Sequence, residues 1–199
     1  MTTRRRQRVS AMPVQDTGLV AITRRAAYGD VIGATVIADE VARQGYDVRL
    51  NTLPQIVASK VFQHHRSITS FGGPDDPCHV NLDDTYERSS LRKTRSAMSL
   101  FYEVAVAQLL RQGIRLRPEC NLRPQLRVLP EEVEAARQMM APFPRPWIAV
   151  IPRSNSWPNR TVPQEVWSDV AHLVDGTMLW TGTDRIHDQN IVDMRITDM

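Results

Sequence analysis

The feature that most constrains this chain is a switch of hydrophobic period, from strand-like to helical and back, within residues 18–52. "GLVAIT" (residues 18–23) is a short β-branched apolar run and reads as a buried strand. After the "RRAAYGD" loop, residues 31–44 carry apolar side chains at helical spacing, and Gly45 falls where a C′ glycine ends a helix. "YDVRLNT" then returns to a strand pattern. The unit is βαβ. Parallel strands joined by a helical crossover are connected with a right hand and are covered on both faces, so the expected fold class is α/β with a doubly wound, Rossmann-like parallel sheet.

The same alternation organises the rest of the chain. "LPQIVASKVFQ" predicts a short helix, "RSITSF" a third strand and "CHVNLD" a fourth, before the polar loop or helix start "DDTYERSSLRK". Residues 96–111 predict a helix whose Met98, Phe101, Tyr102, Ala105, Val106 and Leu109 form a packing side. "RPECNLRPQLRVLP" is broken by proline, and "EEVEAARQMM" is a further helix with acids in its first turn, as the helix dipole favours. Three prolines in "APFPRP" make a stiff connector. Beyond it the pattern restarts: "WIAVI" as strand, "PRSNSWPNRTVP" as polar loop, "QEVWSDVAHLV" as helix, "TMLW" as strand, "TGTD" as a turn before another helix, and "IVDM". The expected organisation is a basic tail over 1–17, a first Rossmann-like domain over 18–141, a linker over 142–146 and the start of a second Rossmann-like domain over 147–199.

Composition narrows the function classes. No apolar run approaches the roughly 20 residues of a membrane span. Cys78 and Cys120 form neither a CxxC pair nor a disulfide framework, which points to a reducing, cytoplasmic setting. The net charge of +3 is concentrated in "MTTRRRQRVS", which reads as a solvated tail, with an anchor for nucleic acid or anionic lipid as the sharper alternative. No secretory signal is expected, because "VSAMPVQDTG" is too polar to be its apolar stretch. Gly29 and Gly33 give GxxxG rather than a dinucleotide GxGxxG, and neither a Walker pattern nor a Gly-x-Ser-x-Gly elbow occurs. The neighbours His64 and His65 diverge on any regular element, and Cys78 with His79 completes no metal spacing. Asp83 and Asp84 could reach a magnesium ion but read first as a solvated turn. No metal site is expected.

Ligands of open α/β sheets collect beyond the carboxyl ends of the strands, where loops run into helix N-termini. Asp30 sits at such a junction. It reads in isolation as a helix cap worth about 1 kcal/mol. "GDVIGAT" in the first half, "PRSNSWPNRTVPQEVW" opening the second and "LWTGTDR" after it together suggest more. In that order they resemble the glycosyltransferase family of the ADP-heptose:lipopolysaccharide heptosyltransferases, over residues 18 to 199. The resemblance implies the GT-B fold, two Rossmann-like domains facing a cleft, and transfer of a sugar with inversion from a nucleoside-diphosphate sugar, ADP-linked by family default, to a hydroxyl of a glycan or other acceptor.

The resemblance also implies residue roles. Asp30 of the Gly29-Asp30 pair is the general base on the acceptor hydroxyl. Arg160 stands where the family has a lysine on the donor diphosphate, a role a guanidinium can fill with forked hydrogen bonds. Ser154 and Ser156 donate to the same phosphates, Trp157 and Pro158 shape the loop, and Thr183 lies near the nucleotide. No cofactor beyond the donor substrate is implied. The chain departs from the family in three places: "IPRSN" replaces His-Pro-Gly, Thr161 and Val162 replace arginine and tryptophan, and the family's later Asp-Thr-Gly and His stretch has no counterpart. The expectation is a truncated or split member whose second domain is completed by self-association or by a partner chain. Two alternatives stand beside catalysis: an inactive glycosyltransferase-like binding or assembly protein, and a basic nucleic-acid-associated protein.

Overall fold

The computed structural model of the chain describes residues 18–25, 27–117, 122–150, 162–181 and 191–193. Two compact units meet between Leu129 and Pro130, which assigns the helix after Pro130 and the proline-rich stretch 142–146 to the second unit.

The first unit contains β1 (Leu19–Thr23), α1 (Tyr28–Arg43), β2 (Asp47–Asn51), α2 (Pro54–Ala58), β3 (Ser70–Gly72), β4 (Val80–Asn81), α3 (Thr85–Arg88) and α4 (Ala97–Leu110). Its four strands are parallel, in the order β3-β2-β1-β4. This is the α/β parallel sheet that the alternation predicts. Val20, Ala21 and Ile22 of β1 are all fully buried, so neither face of this central strand is open, as a parallel sheet requires. Val36, Ile37 and Val41 of α1 join Phe101, Ala105 and Leu109 of α4 in one core. Gly33 lets the two helices approach, since a Cβ there would lie 3.3 Å from Met98 Cγ. Gly45, with φ of +88°, ends α1 in the left-handed conformation expected of a C′ glycine.

Three boundaries differ from the sequence reading. Helix α1 starts at Tyr28 rather than Val31, because the Ala27 carbonyl already accepts from Asp30 N–H and Val31 N–H. Strand β3 begins at Ser70, where pairing with Arg49 of β2 begins, and β4 shrinks to Val80 and Asn81. Short β4 is the sheet's edge, and α4 closes it with side chains. Asn81 N–H donates to Gln108 Oε1 at 2.8 Å, Gln108 Nε2 donates to Asn81 O at 3.1 Å, and Gln112 Nε2 donates to His79 O at 2.9 Å. A side-chain amide here takes the place of a fifth strand and blocks edge-to-edge pairing.

Glu40 ties α1 to the chain beyond α4. It is buried and accepts from Arg117 Nε at 2.9 Å and Nη2 at 2.7 Å. The Arg117 hydrogen bonds hold the Glu40 carboxyl below the usual carboxylate range against the opposing effect of burial. His79 is buried too. Ala21 N–H donates to its Nδ1 at 2.8 Å, which places the ring proton on Nε2, and burial followed by the nearby Arg49 pushes its pKa down.

The second unit holds α5 (Pro130–Met140), β5 (Trp147–Val150), α6 (Gln164–Ala171), β6 (Thr177–Trp180) and β7 (Ile191–Asp193). Its strands are parallel in the order β5-β6-β7. Val150, Ala171, Met178, Trp180 and Ile191 form a separate core. Among the described residues, no helix is long and apolar enough to cross a membrane.

Candidate functional site

Strand order fixes where a ligand would sit. From β1 the chain runs outward through β2 and β3, then returns to place β4 on the other side of β1. The loops leaving β1 and β4 therefore diverge, and the carboxyl ends of these two strands flank the sheet's topological switch point. The sequence sends charged residues there from both sides: Arg24, Arg25 and Asp30 after β1, and Asp83, Asp84 and Glu87 after β4.

Arg24 organises the site. Its side chain is 1% exposed, while those of its carboxylate partners are 32% exposed for Asp30 and 48% for Glu87. Nη1 donates to Leu82 O at 2.9 Å and Nη2 to Glu87 Oε1 at 2.7 Å, and Nη2 lies 3.2 Å from Asp30 Oδ2. The guanidinium also rests over the Phe101 ring, 4.8 Å from its centroid. Burial alone would pull its pKa down; the hydrogen bond to Glu87 and the charge of Asp30 outweigh that and hold it above the ordinary value. Glu87 responds in the opposite sense: burial raises it, and the Arg24 hydrogen bond brings it below the usual range. One buried cation thus fixes two carboxylates that come from opposite sides of the switch point.

Arg25 makes a second bridge across the same gap. Its backbone N–H donates to Asp83 Oδ1 at 2.8 Å, its Nε to Asp83 Oδ2 at 2.5 Å, and its Nη1 to Asp75 Oδ1 at 2.9 Å. Asp83 is therefore occupied by Arg25 rather than standing as a solvated turn residue. Asp84 has a φ of +60° and pairs with Arg88 at 3.0 Å. Among the described residues, no group of three or more histidine, cysteine, aspartate or glutamate side chains is placed to hold a metal ion.

The strand ends beside this cluster are tightly fitted. Buried Asn51, at the end of β2, donates from Nδ2 to Thr23 Oγ1 at 3.2 Å and to Asp76 O at 3.3 Å. Thr52 Oγ1 donates to the Arg24 carbonyl at 2.9 Å. A Cβ on Gly72 would stand 2.2 Å from Asn51 Oδ1, so any side chain there has to displace the Asn51 amide.

Asp30 is the third residue of α1, inside its first turn, and does not cap the helix. The N-cap is Ala27, which has no side chain to do so. The Asp30 carboxylate turns instead toward Arg24, which sequence reasoning missed: nothing in "ITRRAAYGD" marks which arginine is buried, and Glu87 lies in a stretch that reads as polar loop. Gly29, the second helical residue, is exposed, and a Cβ there would meet nothing within 4 Å. Ser154, Ser156, Arg160 and Thr183 lie outside the described residues. The crevice brings together Gly29 and Asp30 with Arg24, Arg25, Asp83 and Glu87. No protein-family model, curated protein or solved structure matches this chain.

Proposed function

We propose that this chain is an inverting glycosyltransferase that uses Asp30 as the general base and a nucleoside-diphosphate sugar, ADP-linked by family default, as donor. The observation that carries the reading is the Asp30 carboxylate: partly exposed at the switch point, in the first turn of α1, and oriented by a buried arginine. Open Gly29 beside it suits close approach of an acceptor to the backbone. The two parallel-sheet units suit a two-domain transferase.

The reaction runs as a single displacement. Asp30 takes the proton from the acceptor hydroxyl, whose oxygen bonds to the anomeric carbon from the face opposite the leaving group. The bond from that carbon to the phosphate oxygen breaks, and its electron pair leaves with the nucleoside diphosphate. Arg160, with Ser154 and Ser156, would bind that leaving charge, and Thr183 the nucleotide. Asp30 then releases its proton to water. Arg24 acts through Asp30 as a positioning residue.

The test is calorimetric titration of the whole chain with ADP, UDP, GDP and their sugar conjugates, repeated on Arg160→Ala. Selective binding of one nucleotide, weakened tenfold or more in the variant, supports the donor assignment. A folded sample that binds none of them refutes it.

A further inference from the structure

The opposite end of the first sheet carries a second basic feature, unused by the crevice. A groove of about 800 Å³ opens between the last turns of α1, the loop before β3 and residues 122–129. Asp39 to Arg43 precede β2 and His65 to Ser67 precede β3, so the groove lies at the amino ends of these strands. Asp30 and Arg43 are 13 residues apart on α1, about 20 Å along its axis. The groove is therefore separate from the switch-point crevice.

Its lining is unbalanced in charge. Four guanidinium groups, Arg43, Arg66, Arg123 and Arg127, converge from three segments against one lining carboxylate, Asp39. That carboxylate is engaged, since Ser67 Oγ donates to its Oδ1 at 2.5 Å. Arg43 lies 3.4 Å from buried Glu40, which is shared with Arg117. Arg66 and Arg127 have no ion pair among the described residues. Gathering four like charges around one concavity is repulsive, and the C-terminal end of α1, carrying the negative end of the helix dipole, offsets only part of it. Planar guanidinium forks match phosphate oxygens, and the volume falls in the range of small-molecule sites. Leu126 and Ala42 add an apolar wall.

We propose that this groove binds a small phosphorylated molecule carrying at least two linked phosphates, with Arg66 and Arg127 as its principal contacts. Probes are inorganic triphosphate and pyrophosphate, titrated calorimetrically into the whole chain and into two variants of it. One is Arg66→Ala/Arg127→Ala; the other replaces Arg4, Arg5, Arg6 and Arg8 with serine. Both substituted sets are exposed or in the tail, and circular dichroism checks that each variant folds. The expected result is triphosphate binding that is weakened tenfold or more by Arg66→Ala/Arg127→Ala and unchanged by the tail variant. Absence of triphosphate and pyrophosphate binding overturns the proposal. So does binding lost in the tail variant instead, or affinity confined to long polynucleotides with steep salt dependence, which marks an extended polyanion surface.

Discussion

Removing Arg24 should cost less stability than removing the two carboxylates that serve it. Arg24 is the buried member of the cluster at 1% exposure, whereas Asp30 and Glu87 stand 32% and 48% exposed. In Arg24→Met the new side chain has similar length and can lie on Phe101, and water can solvate both abandoned carboxylates. The loss is that of partly screened charged hydrogen bonds plus the bond to Leu82 O, about 1–2 kcal/mol. In Asp30→Ala/Glu87→Ala the guanidinium stays buried and keeps its hydrogen bond to Leu82 O, and an uncompensated buried charge costs about 3–5 kcal/mol. Urea unfolding measures both. All four tryptophans, Trp147, Trp157, Trp167 and Trp180, follow Pro130 and so belong to the second unit. Far-ultraviolet circular dichroism reports both units, while tryptophan fluorescence follows the second. The expected outcome is a dichroism midpoint lowered more by the double substitution than by Arg24→Met. A larger loss in Arg24→Met would refute the reasoning that burial of the cation governs the cluster.

Four further outcomes follow from particular contacts. Glu40→Gln should destabilise by about 1.5 kcal/mol at neutral pH, since it puts an amide donor against half-exposed Arg117. Glu40 is held below its unfolded value of about 4.3, so its contribution is present above that pH and lost as pH falls through the folded value; the gap between wild type and variant in urea midpoint should close on acidification. The depressed His79 adds a second acid-sensitive contribution, lost as pH falls below about 6.5 because the unfolded chain takes the proton first, and this slope should persist in Glu40→Gln. Gly72→Ala should cost about 2–4 kcal/mol by driving Asn51 from its bonds to Thr23 and Asp76, checked by the same urea series; a change under 0.5 kcal/mol would show that Asn51 yields freely. Gln108→Leu uncovers the main chain of Asn81 at the sheet edge and should raise self-association, read by sedimentation.

Much of the fold was legible because its signal is periodic. A central parallel strand is apolar on both faces, so "GLVAIT" stands out, and Gly45 marks the end of α1 by a backbone conformation that few other residues adopt. The start of α1 was less visible, since Gly29 is a poor helix former and Ala27 offers no capping side chain. Strands of two or three residues, such as β4 and β3, are too short to show a period at all. Of the residues gathered at the switch point, the sequence marked Gly29 and Asp30 and read Asp83 first as a solvated turn. Arg24 meets Glu87 across 63 positions of sequence, and a charged residue just past a strand carries no mark of burial. The same holds for Glu40 with Arg117 and for Gln108 with Asn81: polar residues on helices read as solvent-facing until tertiary contacts give them partners. The arginine groove is likewise assembled from three segments whose sequences show only scattered positive charge.

The central claim is that Asp30 removes a proton during sugar transfer, and the most direct measurement compares wild type with Asp30→Asn. Nucleoside-diphosphate release from the bound nucleotide sugar is followed over a panel of glycan acceptors, with donor affinity determined in parallel. Asparagine keeps the size of Asp30 and abolishes its basicity. With Asp30 as the base, the variant keeps donor affinity within about twofold of wild type and loses at least ~100-fold in transfer, the scale of general-base catalysis. Transfer at the wild-type rate by Asp30→Asn would contradict it.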